Sequence, residues 1–296
     1  MAGPIGLGVI QAVTRARARG RRPARRAPPR PPPGRSWAMF VALVALLAWL
    51  TAALVPPPAP AAGVAGMLDV ALWYAAVMGW PPLVAAWLVH GARGGDTDTG
   101  VRAASLADAL MAIALALGCA VAAAGLALAA GEPRATATDP APGDPAAWAA
   151  LAGLVVLWLQ AVTEEYGWRG APLRWAIAAW GPRRGLVVHG LVWGLWYAPL
   201  FLRVGGVERG VAITAAGFVV TCVALGVVLA WLRLRSRSLV PSVLANLVLT
   251  LIAGLPLVQG GATAGVRDAV LRWPGLVVLG LVAIAVLVAR RRELES

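Results

Sequence analysis

The 296 residues are 60% hydrophobic with a mean hydropathy of +0.76, and 26 basic against 13 acidic residues give a net charge of +13. No soluble globular domain needs that much apolar surface, so the composition predicts an all-α, polytopic membrane protein. Every basic residue is arginine, which together with the abundance of Ala and Gly points to a GC-rich bacterial genome.

Residues 1–36 hold nine arginines, no acids and the run Pro28-Pro29-Arg30-Pro31-Pro32-Pro33. This segment cannot build a core and is expected to be a disordered cytoplasmic tail that touches anionic lipid. Nucleic-acid binding is not expected, because no aromatic residue is interleaved with the arginines to stack on bases. A cleaved secretory signal is not expected either, since no cleavage pattern ends the apolar run that follows.

Eight apolar segments come next, near 37–55, 68–90, 105–130, 147–166, 185–202, 210–232, 239–257 and 273–289. Each approaches or exceeds the roughly 20 residues a helix needs to span a bilayer. With the N-terminus inside, 21 arginines fall on the cytoplasmic side and five outside. That asymmetry fits the positive-inside rule and places both termini in the cytoplasm, in a cell membrane. Four units follow: the tail 1–36, three spans over 37–130, a core over 147–258, and a last span with its end over 273–296. Asp69 and Asp108 lie near helix starts, where acids suit the helix dipole. The 14 tryptophans read mostly as interface anchors. Residues 131–146 read as a polar external turn, and Ala171–Trp180 as a short amphipathic segment on the inner interface, ended by Gly181-Pro182. Gly190 and Gly194, four apart, allow another helix to approach closely. Cys119 and Cys222 both sit in apolar runs and read as small buried hydrophobes.

Three polar stretches interrupt this apolar plan. The first is Glu164-Glu165-Tyr166-Gly167-Trp168-Arg169, where two adjacent carboxylates meet the end of the fourth span. Acids at a membrane margin are costly and are functional candidates, although ordinary juxtamembrane charges would look the same. Glu165 and Arg169, four apart, share a helix face and can pair; Glu164 is rotated about 100° away and is left free. The second stretch is Trp193-Gly194-Leu195-Trp196-Tyr197-Ala198-Pro199-Leu200-Phe201, and the third runs from Ser238 to Thr250.

Their order and spacing resemble the CPBP family, the CAAX-processing and bacteriocin-processing membrane proteases, over roughly residues 147–258. That family carries EExxxR, then an aromatic followed by xxxH, then HxxxN or HxxxD. The resemblance implies a four-helix catalytic core and an intramembrane endopeptidase acting near the cytoplasmic face. Its first glutamate is the base on a water, helped by the second-motif histidine, while the third motif holds the oxyanion. Carried over, Glu164 is the base and Glu165 pairs with Arg169. Tyr197 stands at the second histidine position, Asn246 at the third, and Thr250 at the asparagine position.

Tyrosine, with a reference pKa of about 10, donates a hydrogen bond but does not readily take a proton at neutral pH. Asn246 and Thr250 can donate to an oxyanion. The resemblance leaves zinc open, and a His-ligated zinc is hard to build from this set. His189 lies eight residues before Tyr197, about 12 Å along a helix, so it does not simply replace the missing ring. Two readings of it stand: a structural or lipid-facing histidine, or a working pair with Glu164 in a displaced register.

The sequence thus predicts a peptidase, glutamic or metal-assisted, that acts on a peptide or membrane-protein substrate in contact with membrane lipid. The alternative is a catalytically silent relative that binds a peptide or membrane partner. A small transporter or lipid-handling protein is the third reading, and the absence of repeats and of paired broken helices counts against it.

Overall fold

The computed structural model describes residues 32–57, 68–69, 72–92, 94–95, 97–131, 146–205, 209–258 and 273–289. The predicted tail up to residue 31, most of the 131–146 turn and the arginines at 290–292 lie outside these. Among the described residues the structure is helical and has no strand.

Helices occupy all eight predicted positions. They are α1 (Pro33–Leu54), α2 (Pro81–Ala92), α3 (Leu106–Ala129), α4 (Ala146–Arg169), α5 (Ala171–Trp180), α6 (Pro182–Trp196), α7 (Ala198–Gly205), α8 (Arg209–Ser236), α9 (Val240–Val258) and α10 (Trp273–Ala289). A π-helical turn, Ala75–Gly79, precedes α2. Five described stretches are long and apolar enough to cross a membrane: Pro33–Leu54, Leu72–Ala92, Leu106–Ala129, Pro182–Leu202 and Ala215–Ser236. The chain is a multi-pass helical membrane protein.

Two sequence expectations need correction. Helix α1 begins at Pro33, inside the segment read as tail, because proline suits the first helical turn, where its missing N–H would have had no partner. Several tryptophans are core residues: Trp37, Trp73, Trp168, Trp175, Trp193, Trp196 and Trp231 are buried, whereas Trp49, Trp87, Trp158 and Trp180 are exposed. Position near a helix end does not separate an anchor from an indole that packs inward.

Packing follows helical periodicity against lipid. On α1, Phe40, Val44, Ala48 and Ala52 face inward while Leu46, Trp49, Leu50 and Leu54 face outward. The inner face of α3 is built from Ala112, Ala116, Cys119, Ala120, Ala123 and Ala127, small enough for α9 and α10 to lie close. Helices α6 and α8 approach closely through glycines. A β-carbon on Gly190 would stand 2.8 Å from the Val223 Cα, and one on Gly194 would stand 2.9 Å from the Val219 Cα.

The loop before α3 ties the helix ends together through Asp98. Its carboxylate meets Arg102 at 2.8 Å, Arg233 at 3.1 Å and Arg174 at 3.8 Å. Burial works to raise the Asp98 pKa, but the Gly100 N–H, Arg233 and Arg102 outweigh it and hold the group at about 2. Gly100, at φ +74°, packs directly on the fully buried Arg233 guanidinium, where any side chain would collide. The same loop receives the α8–α9 turn: the Leu239 N–H donates to the Gly100 carbonyl at 2.9 Å and Ser238 Oγ donates to the Arg102 carbonyl at 2.6 Å.

Candidate active site

The last turns of α4 carry Glu164, Glu165 and Arg169, all buried. Helical spacing sends Glu165 and Arg169 to one face, and Arg169 NH1 donates to Glu165 Oε1 at 3.0 Å. Asn246 Nδ2, from α9, donates to that same oxygen at 3.0 Å, and Thr250 Oγ1 reaches Asn246 Oδ1 at 3.4 Å. A buried ion pair is tolerable only when further hydrogen bonds support it, and Asn246 supplies one.

Glu164 points to α6. Trp193 Nε1 and Tyr197 Oη each donate to Glu164 Oε1 at 2.8 Å, so Oε2 takes no part in either bond. Trp193 and Tyr197 are four apart and therefore share a face. Trp193 also links the two acids, because the Arg169 Cζ lies 3.9 Å from its ring centroid. The indole face thus takes the charge that balances Glu165 while its N–H serves Glu164.

Tyr197 owes its place to a break. Pro199 has no N–H to continue the ladder, so α6 stops at Trp196 and the Tyr197 N–H tightens onto the Gly194 carbonyl at 3.2 Å before α7 begins.

The structure thus brings together Glu164, Glu165, Arg169, Tyr197, Asn246 and Thr250. It leaves His189 out. The ring is fully buried, and its Nε2 lies 2.8 Å from the Trp168 carbonyl oxygen, which can only accept. Trp37 and Trp168 flank it, each with ring centroids 5.7 Å away. The displaced His189–Glu164 pair is therefore not formed: a backbone carbonyl and two indoles hold the histidine elsewhere. Glu164 is not free in the sense the spacing implied either, since two donors converge on one of its oxygens. No group of three or more His, Cys, Asp or Glu suited to a metal ion occurs among the described residues. The donors around the two glutamates are indole, phenol, guanidinium and amide, which do not fit a zinc site.

Residues 146–252 match the family model for the type II CAAX prenyl endopeptidase, Rce1-like. Over this segment the chain is similar to the CAAX-protease family. The match covers α4 to most of α9 and includes Glu164, Tyr197 and Asn246. Among curated proteins, none matches the chain.

Two partners of this site are not among the residues expected from the sequence. Trp193 stands four residues before Tyr197, where the resemblance puts an aromatic, and that i,i+4 spacing carried the signal for a shared face. Tyr74 lies outside the matched segment, and nothing in the sequence ties it to Tyr197.

Proposed function

We propose that the chain is an intramembrane endopeptidase of the CAAX-protease type, acting on a peptide or membrane-protein substrate. The observation that carries this reading is the buried Glu164, whose Oε1 is fixed by Trp193 and Tyr197 while Oε2 stays outside both bonds. A carboxylate held in one orientation by two donors on a single oxygen suits deprotonation of a water.

In this reading Glu164 takes a proton from water, and the water oxygen forms a bond to the scissile carbonyl carbon. The protonated glutamic acid then passes that proton to the leaving amine as the C–N bond breaks. Tyr197 acts as a donor that steadies the carboxylate through both steps and does not itself take a proton. Asn246 uses one amide hydrogen on Glu165, and its second is available to the oxyanion. The Glu165–Arg169 pair holds α4 and Trp193 in register.

The test is cleavage of a panel of C-terminal and transmembrane reporter peptides by the purified chain in liposomes. Cleavage is expected. A folded wild type that cleaves nothing, on a panel where an intact-motif relative works, would instead support the silent, partner-binding reading.

A further inference from the structure

Glu164 has a second layer of support that comes from outside the family segment. Tyr74 precedes the π-helical turn Ala75–Gly79, and its Oη donates to Tyr197 Oη at 2.8 Å. The two phenol rings stack, with centroids 6.3 Å apart and planes 14° from parallel. Tyr197 in turn donates to Glu164 at 2.8 Å, so two hydroxyls stand in series behind one carboxylate oxygen. A phenol has one hydrogen to give. With its oxygen occupied by Tyr74 as donor, Tyr197 has its own hydrogen directed at Glu164.

The backbone around Tyr74 is held on both sides. Gly79, the last residue of the π turn, abuts the Gln160 side chain on α4 so closely that a β-carbon there would collide with it. Gln160 lies one turn before Glu164. On the other side the Thr51 hydroxyl, from α1, lies 2.9 Å from the Val77 carbonyl, within the π turn. Such turns insert a residue into a helix and recur at functional sites. Here the turn follows the residue that reaches the carboxylate's donor.

We propose that Tyr74 is a positioning residue for Glu164, acting through Tyr197. It performs, from the N-terminal half of the chain, part of the orienting work that the motif histidine performs in the family pattern. The inference rests on the protease reading for its kinetic consequence, but the hydrogen-bond chain itself can be observed without turnover.

Two measurements on Tyr74→Phe test it. In the first, kcat is expected to fall about tenfold with KM unchanged, the effect of losing one hydrogen bond to a reacting group. An unchanged kcat in an active enzyme would overturn the proposal and leave the protease reading standing. The second is the infrared carboxylate band of Glu164, identified as the band lost in Glu164→Gln. It is expected to shift in Tyr74→Phe while the thermal midpoint stays close to wild type. An unmoved band would overturn the proposal whether or not the protein cleaves. A shifted band in a protein that cleaves nothing would keep the Tyr74–Tyr197–Glu164 chain and defeat the protease reading.

Discussion

Arg169 stacks its guanidinium 3.9 Å from the centre of the Trp193 ring while bonding Glu165, and the same indole donates to Glu164 at 2.8 Å. One side chain therefore couples the charge-balanced Glu165 to Glu164, the proposed base. Removing Arg169 leaves Glu165 buried without its counter-charge and Trp193 without the cation on its face. Arg169→Met is expected to cost about 3–5 kcal/mol, read as a fall in the thermal midpoint in detergent. Glu165→Leu/Arg169→Met, which removes both charges, is expected to recover a large part of that loss. A single variant as stable as wild type would show that the pair does not hold this end of α4.

His189→Ala separates a structural histidine from a catalytic one. The ring fills space between Trp37 and Trp168, so its loss should cost about 2–4 kcal/mol of stability. Cleavage per folded molecule should fall far less than the about 10²–10⁴-fold that follows removal of a base. A loss of that size, with folding intact, would return His189 to the chemistry.

The EExxxR spacing made the Glu165–Arg169 pair legible, because helix geometry fixes i,i+4 neighbours whatever surrounds them. The helices were legible for a related reason: long apolar runs have few other folded forms in a membrane. Partners across helices were not. Tyr74 and Tyr197 are 123 residues apart, and only packing brings them within 2.8 Å. His189 was open to misreading because depth along a helix says nothing of which way a ring turns. Its register faces Trp37 and Trp168. The buried tryptophans depart from the anchor reading for the same reason.

Asp98 gives the fold an acid limit. Its folded pKa of about 2 lies below the ordinary 3.8. Its contribution is therefore fully present above the unfolded value and is lost as pH falls through about 2. Asp98→Asn should lower stability at neutral pH by about 1–3 kcal/mol, nearer the lower end because the carboxylate keeps 34% of its surface exposed. Melting curves between pH 7 and 2 check this: wild type should lose its advantage over Asp98→Asn as the acid limit is approached. Parallel curves throughout would assign the loop's stability to its backbone bonds instead.

Gly190→Val tests the α6–α8 contact. The new side chain meets the Val223 backbone, which cannot swing aside as a flexible side chain would. A cost of at least about 1–3 kcal/mol is expected, together with lower cleavage, since α6 carries both Trp193 and Tyr197. An unchanged melting temperature and an unchanged rate would mean that the helices have room to separate.

In the proposed reaction the Glu164 carboxylate is the base. The most direct test of that role is the rate of peptide cleavage by Glu164→Gln beside wild type in the same liposomes, with matched thermal midpoints to show that folding is kept. The glutamine keeps the shape and an acceptor oxygen for Trp193 and Tyr197, but it cannot take a proton from water. A fall of about 10²–10⁴-fold is expected. A folded Glu164→Gln protein that cleaves at the wild-type rate would contradict it.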